Sequence, residues 1–502
     1  LIPRSHDSHS KPSALDEKVR AMSTATLHPM AEHSVPGPGA RPGLASRPLS
    51  GGAPTPAWWR DAAGTFTWLT MLVVVALWVR NGGIQEMATV GGGVTSLGRL
   101  LGLIASQLLL VQVLLMARIP FVERSYGQDE LARRHRLVGF WSFNLMVAHL
   151  LLIWFGYAAQ TRQGLWGTIV DLVANYPGIL LAVAAVAALT MVTVTSMKAS
   201  RAALRYESWH LLHLYAYLGV GLALPHQLWA GQDFVGNLAA TVFWWTLYAA
   251  ALASVVVWRV GLPIYRTLRH RLVVAEVRPE GPDATTVVIT GRDLDRLPAA
   301  AGQFFQWRFL DAPGATRAHP YSLSAAPDGR TLRITAAHLG DGSAALAHLT
   351  PGSRVMIEGP YGRLHGGVRT RRKVLLIGAG IGITPMRALL EELPQAPGDL
   401  TLVYRAHSSG DVLFADELLD LAGRRGARIF TVLGGRATSR ESWLPGNASH
   451  LSDTDALRHL VPDLAGHDVY ICGGDRWMDL VRAAALAGGV PERNIHLERF
   501  GY

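Results

Sequence analysis

A single cysteine, Cys472, stands in a chain of 502 residues. Intramolecular disulfides are therefore excluded. So are cysteine-ligated zinc and iron–sulfur centres, and no C-x-x-C-H run offers covalent c-type haem attachment. Redox chemistry would have to rest on flavin, on nicotinamide, or on haem held by other ligands, and 19 histidines keep imidazole ligation open. Charge is scarce too. Charged residues make up 17% and hydrophobic ones 49%, against about a quarter charged in a soluble protein, so part of the chain does not meet water. No internal repeat is visible, and no EF-hand loop precedes the first apolar run, so calcium control is not indicated. The first 55 residues are rich in Pro, Ser, Gly, Ala and His. They lack an apolar core behind a basic start, which predicts a disordered tail and no secretory signal.

What is present is a series of long apolar runs at residues 62–79, 100–117, 137–159, 176–197, 209–229 and 234–258. Each approaches the ~20 residues of a bilayer-spanning helix, predicting six spans. The fifth is the weakest because it carries His210, His213 and His226. The net charge of +10 is largely topological. Arg118, Arg124, Arg133, Arg134 and Arg136 follow the second run, Lys198, Arg201 and Arg205 the fourth, and Arg259, Arg266, Arg269 and Arg271 the sixth. The opposite loops hold only Arg80, Arg99 and Arg162. The positive-inside rule then predicts a multi-pass cell-membrane protein with both termini cytoplasmic, and nucleic acid is dropped as a partner in favour of membrane lipid.

From about Pro263 the texture changes. Alternating runs at 271–277, 286–290, 304–309 and 331–335, with turn signals between them, predict a small antiparallel barrel. From Lys373, apolar strands at 374–377, 400–404, 428–433 and 468–471 alternate with helical runs at 386–393, 415–421 and 476–487. That is a parallel α/β pattern. The expected division is a tail (1–55), an all-α six-helix membrane bundle (56–262), a β-barrel domain (263–368) and a Rossmann-like α/β domain (369–502).

Histidines at membrane depth are functional candidates by default. His135 and His149 are fourteen residues apart on the third run, and His213 and His226 thirteen apart on the fifth. Fourteen residues make just under four helical turns, so each pair lies near one face, roughly 20 Å apart. Two parallel helices with this spacing can hold two stacked b-type haems, His135 with His213 near the cytoplasm and His149 with His226 near the outer face. A lone intramembrane histidine would read as a hydrogen-bonder or channel residue. His210, one turn before His213, is the rival for the inner position.

In the soluble part, His319-Pro320-Tyr321-Ser322 follows Gly302-Gln303-Phe304. A tyrosine on such a strand can pack on an isoalloxazine ring, with the next serine hydroxyl near flavin N5. Gly340-Asp-Gly342-Ser343 then opens a helical run whose amides suit a pyrophosphate. Gly378-Ala-Gly380-Ile-Gly382-Ile-Thr384-Pro385 follows a strand and opens a helix, a dinucleotide-phosphate pattern. Ile471-Cys472-Gly473-Gly474 ends the last long strand, where Cys472 can face a nicotinamide.

These motifs resemble the ferric reductase and NADPH oxidase superfamily, over about residues 60–502. The resemblance implies a di-haem membrane domain fused to a ferredoxin–NADP reductase-like dehydrogenase. His135, His149, His213 and His226 match its haem ligands, His319–Ser322 its flavin motif and Gly378–Thr384 its nicotinamide motif. Cys472-Gly473-Gly474 matches its Cys-Gly-Pro with Gly474 in place of Pro. Glu498-Arg499-Phe500 resembles its C-terminal acidic residue and aromatic, so Phe500 would cover the flavin ring, with Tyr502 as the alternative. The usual lysine before the flavin phosphates is replaced by Ala336-Ala337-His338, which leaves those contacts to Ser343 and backbone amides. Arg405, Arg436 and Arg440 lie after the second and third strands and favour NADPH over NADH. The expected enzyme passes electrons from NADPH through FAD and two b haems to an outer acceptor. Oxygen is the first candidate and a ferric chelate the second, with no partner protein required. Relay to an extracytoplasmic partner is the second reading. A histidine-lined proton or ion conductor, which predicts no haem, is the third.

Overall fold

The computed structural model describes residues 58–499 apart from 162, 205, 236, 313, 316 and 449. The predicted tail, Arg162, Arg205, Phe500 and Tyr502 lie outside the described residues. The chain divides into two compact units, one Pro56–Gly261 and the other continuing from Leu262.

The first unit is helical. Its long elements are α1 (Trp58–Arg80), α2 (Val90–Met116), α3 (Gln128–Thr161), α4 (Ile179–Ser196), α5 (Tyr206–Ala230) and α6 (Leu238–Ser254). Helices α1 to α4 and the run Leu238–His270 are long and apolar enough to cross a membrane, five candidate spans in all. Helix α5 occupies the fifth predicted run; Pro225 and three histidines interrupt its apolar surface. A helix at Gly164–Asn175 lies between α3 and α4 and was not among the expected elements. Val74, Trp78, Leu103, Leu110, Phe234 and Trp244 form a buried apolar cluster. Arg99 takes Glu86 at 2.6 Å and Asp233 at 3.0 Å. Helices α2 and α3 approach closely because small residues face the contact. A Cβ added at Gly156 would lie 2.3 Å from the Thr95 hydroxyl oxygen.

In the second unit a helix, Leu262–His270, is followed by six strands: β1 (Val273–Pro279), β2 (Ala284–Thr290), β3 (Phe304–Phe309), β4 (His319–Ser322), β5 (Thr331–Ala337) and β6 (Val355–Tyr361). They form two three-stranded antiparallel sheets, β1-β2-β5 and β4-β3-β6. Isolated bridges at Val273–Arg354 and Leu323–Ile334 link the two sheets. Trp307, Phe305, Leu323, Ile334 and Val287 fill the space between them with no exposed surface. The register is set by alternation: Phe305, Trp307 and Phe309 of β3 point inward while Gln306 and Arg308 are part-exposed.

A five-stranded parallel sheet follows, ordered β11-β10-β7-β8-β9. Its strands are β7 (Lys373–Ala379), β8 (Leu400–Ala406), β9 (Arg428–Leu433), β10 (His467–Cys472) and β11 (Ile495–Leu497). Helices α7 (Ile383–Glu392), α8 (Ala415–Arg425), α9 (Asp453–Leu460) and α10 (Asp475–Ala487) complete the layers. Strands β8 and β10 are buried along their whole length, as parallel strands covered on both faces must be. Strand β7 sits between β8 and β10, so the chain order reverses at its C-terminal end. That is the switch point where α/β sheets bind ligands.

Asp468 ties this sheet to the segment that enters it. Its carboxylate accepts from the amides of Thr370 and Arg371, from Asn494 and from His496 at 3.0 Å. Burial works to raise its pKa, but the bonds from His496, Asn494 and the two amides outweigh it and hold the group at about 2. The stability it contributes is complete above the ordinary aspartate range, near pH ~4. It is lost as pH falls toward about 2. Asp468→Asn should lower unfolding stability by about 2–3 kcal/mol at neutral pH and flatten the acid limb, read by thermal melts across pH.

Candidate functional site

Three groups of predicted residues come together, and each is built by its own elements. In the helical unit, the rings of His135 on α3 and His213 on α5 meet edge-on at 64°, with centroids 5.9 Å apart. His210 lies on the neighbouring turn with its ring near Trp209. Each ring of α3 is oriented through Nδ1. His135 donates toward the Gln112 carbonyl at 3.3 Å, and His149 toward the Gly98 carbonyl at 2.8 Å. His213 Nδ1 meets the Ser196 hydroxyl at 3.1 Å, and that oxygen also accepts from Trp209 Nε1 at 3.3 Å. Gly178, at the start of α4, backs so closely on His226 that an added Cβ would lie 2.7 Å from its amide nitrogen. A ring whose Nδ1 is engaged presents Nε2 as the ligating atom.

Those residues fit b-type haem. Among the described residues no group of three or more His, Cys, Asp or Glu could hold a metal ion. His135 and His213, with Nδ1 of each engaged, are the neutral imidazoles that would hold a haem iron.

In the two-sheet part of the second unit, β4 carries His319-Pro320-Tyr321-Ser322. The His319 ring stacks on Tyr321 at 5.9 Å and 11°. Gly342 lies against His319, where a Cβ would come within 2.3 Å of Cε1. The strand motif and the Gly340–Ser343 loop are thus in contact. The expected helical run is a single α-turn, Asp341–Ala344, followed by a 3-10 turn, Ala345–His348. Ser343 Oγ accepts from the amides of Leu339 and Gly340 at 3.0 and 3.2 Å, which fixes the loop. Ser322 is buried and its Oγ has no hydrogen-bond partner among the described residues. An orphaned hydroxyl beside this cradle fits a flavin ring atom. Burial pushes the Tyr321 phenol up, so it stays neutral.

At the end of β7, Gly380 takes φ 52° with no neighbour in the way of a Cβ, an open backbone where phosphate can approach. Gly378 faces Met386 and the Gly382 carbonyl. Gly382 abuts β10, since a Cβ there would lie 2.3 Å from the Cys472 carbonyl oxygen. Thr384 is buried and donates to the Ile381 carbonyl at 3.0 Å, closing the first turn of α7. Pro385 fits the same turn. Gly473 packs on Trp477, and Pro320 pairs with Gln306 in the β3–β4 ladder. The three arginines expected at the 2′-phosphate part company. Arg405 is buried and turns inward onto the carbonyls of Ala406, Val432, Gly434 and Gly435. Arg440 pairs with Asp453 at 2.9 Å. Arg436 is exposed. Inward-turning arginines carry no sequence mark, so only the fold separates Arg405 from Arg436.

Cys472 is fully buried. Burial pushes its thiol well above the ordinary range, and the nearby Glu498 carboxylate pushes the same way. Glu498 itself lies against Gly362, where a Cβ would meet its Oε2 at 2.2 Å. The thiol should therefore alkylate at least ~100-fold more slowly in the native protein than in urea at pH 8. Equal rates would contradict this placement.

Comparison with known proteins gives two family matches. Residues 101–224 match the ferric reductase like transmembrane component, and residues 376–483 the oxidoreductase NAD-binding domain. Ferredoxin–NADP reductase B of Sorangium cellulosum is 31% identical over 236 residues, which are 45% of this chain and 94% of that protein. The ferredoxin reductase component of 3-ketosteroid-9-alpha-monooxygenase from Mycolicibacterium smegmatis is 32% identical over 46% of this chain. The chain spans 65% of that relative's length, just under two-thirds. The flavohem-like FAD/NAD binding domain of nitric oxide dioxygenase from Vibrio cholerae aligns along its whole length to 47% of this chain, at 27% identity and a TM-score of 0.39. With a ferric reductase like transmembrane component ahead of a ferredoxin–NADP reductase-like module for FAD and NAD(P)H, the chain is an oxidoreductase that belongs to the ferric reductase and NADPH oxidase type of fusion.

Proposed function

We propose that this protein carries electrons across the cell membrane. They enter from cytoplasmic NADPH, pass through FAD and two b-type haems, and leave to an acceptor on the outer face, most simply oxygen. The observation that carries the reading is the His135–His213 pair, 5.9 Å apart, each ring with Nδ1 already engaged. In this reading α5 is a sixth span and the two antiparallel sheets close as a barrel. Both termini are cytoplasmic, and no partner protein is needed. When bound, FAD accepts a hydride from the nicotinamide and the haems move electrons singly.

The chain's own residues do the rest. Gly378, Gly380 and Gly382 bring backbone amides to the dinucleotide phosphates, and Arg436 is the cation placed to favour a 2′-phosphate. His319, Tyr321 and the Gly342–Ser343 loop hold the flavin, with the Ser322 hydroxyl turned to its ring. Cys472 and Gly473 shape the floor under the nicotinamide, and Phe500 would cover the flavin face. His135 with His213, and His149 with His226, would hold the two irons.

Two experiments test this. In detergent under argon, NADPH should produce reduced b-type bands with about two haems per flavin, and NADH should do so less well. Admitting oxygen should reoxidise them and yield superoxide; slow reoxidation that a ferric chelate accelerates would point instead to a metal reductase. Folded, haem-supplemented protein without a b-type spectrum would contradict the reading. Separately, Ser322→Ala should retain FAD yet slow flavin reduction by about 10- to 100-fold, the worth of one hydrogen bond in the transition state. An unchanged rate would remove Ser322 from the flavin contact.

A further inference from the structure

A helical carbonyl already accepts one N–H from residue i+4, and the side chain of that residue leans back over it. Glycine at i+4 removes the cover and opens the second lone pair to a neighbouring helix. This arrangement occurs twice between α2 and α3. On α2, the Gly98 carbonyl receives His149 Nδ1 at 2.8 Å, and Gly102 stands four residues on. A Cβ at 102 would lie 2.5 Å from that nitrogen and 2.8 Å from Cε1, closer than real Cβ atoms come. On α3, the His135 carbonyl receives Gln112 Nε2 at 3.4 Å, and Gly139 stands four residues on. A Cβ at 139 would lie 2.2 Å from Gln112 Nε2. Gln112 returns the contact, since its own carbonyl faces His135 Nδ1 at 3.3 Å. Its Oε1 also takes the Ser142 hydroxyl at 3.4 Å.

We infer that Gly102 and Gly139 are positioning residues. Each opens a helical carbonyl to the facing helix: the one beside Gly102 takes the His149 ring directly, and the one beside Gly139 seats the Gln112 side chain, the residue whose backbone carbonyl takes the His135 ring. A carbonyl can only accept, so it commits the proton to Nδ1 and leaves the Nε2 lone pair facing away from α2. The two notches act at different heights of the helix pair, so each controls one histidine and not the other. For its consequence on iron this inference rests on the di-haem reading above; its geometric core does not.

The test uses the full chain and three variants. Gly102→Ala and Gly139→Ala fill the notches. Gly64→Ala is the control: it too stands four residues after a carbonyl that accepts from another helix, Arg60 from Tyr126 Oη at 2.7 Å, but a Cβ there meets nothing within 4 Å. Alanine is the better helix former, so a loss cannot be blamed on propensity. In haem-loaded protein, redox titration and low-temperature EPR should resolve two low-spin signals. Gly102→Ala should shift the midpoint and g-values of one signal, Gly139→Ala should shift those of the other, and Gly64→Ala should move neither. In haem-free protein labelled with 15N-histidine, His149 should show the Nδ1–H tautomer, and Gly102→Ala should remove it. Unchanged signals in both notch variants, or both signals moving together in each, would overturn the inference. A wild type without haem would sink the di-haem reading alone and leave the tautomer result to decide. If Gly102→Ala fails to accumulate, Gly102→Ala/His149→Ala should restore the yield, because the ring that clashes is gone; no recovery would also overturn it.

Discussion

A polar ring among apolar helices must find a partner for each nitrogen, because no water competes for the role. That constraint organises the helical unit. While His226 Nδ1 is buried with no hydrogen-bond partner among the described residues, the other three of the four paired imidazoles on α3 and α5 have Nδ1 taken by a carbonyl or hydroxyl. The Gly98 carbonyl, the Gln112 carbonyl and the Ser196 hydroxyl do this for His149, His135 and His213. At Gly98 the carbonyl is open to the His149 ring because Gly102 stands four residues on, where a Cβ would lie 2.5 Å from Nδ1. The tight α2–α3 contact then serves the histidines, and the Nε2 atoms are left for what the helices enclose.

The second unit solves a different problem, which is to keep two ligand cradles in fixed relation. Helix α7 does this. It opens directly from the Gly378–Gly382 loop, and its far end holds the segments that precede β3 and follow β4. Glu392 accepts the Ala301 amide at 2.9 Å, and Glu391 accepts the Ala326 amide at 2.9 Å. Arg387 joins Glu417, which also receives Arg333 at 2.9 Å and Arg278 at 3.2 Å. Burial tends to raise the Glu417 pKa, but Arg333 and Arg387 overcome it and hold the carboxylate ionised. A charge cluster spanning β1, β5, α7 and α8 therefore fixes the spacing on which hydride transfer depends. An error of 1 Å in such a geometry can cost about 100-fold in rate.

Much of this was legible in the sequence, and the reasons differ by element. The apolar runs and the paired histidines announced themselves, because hydrophobic length and a fourteen-residue spacing are one-dimensional signals. Strands 304–309 and 428–433 fall where alternation and apolar content put them. Strand β6 escaped because Glu358, Gly359 and Pro360 break its alternation, and β11 because it is only three residues long. Helix α9 escaped because its short run mixes Asp, Arg and His, leaving few apolar marks. In the site, the glycine loops and the His319–Ser322 motif were readable. The inward turn of Arg405, the orphaned Ser322 hydroxyl and the notches at Gly102 and Gly139 were not, since each is a relation between chain segments far apart in sequence.

Vectorial electron transfer is the most direct test of the account. The purified protein would be placed in sealed vesicles with its dehydrogenase unit outward and ferricyanide trapped inside. NADPH added outside is predicted to reduce the trapped ferricyanide at a rate that the purified haem content sustains. Reduction of external ferricyanide alone, with the trapped pool untouched while the vesicles stay sealed, would contradict a transmembrane path.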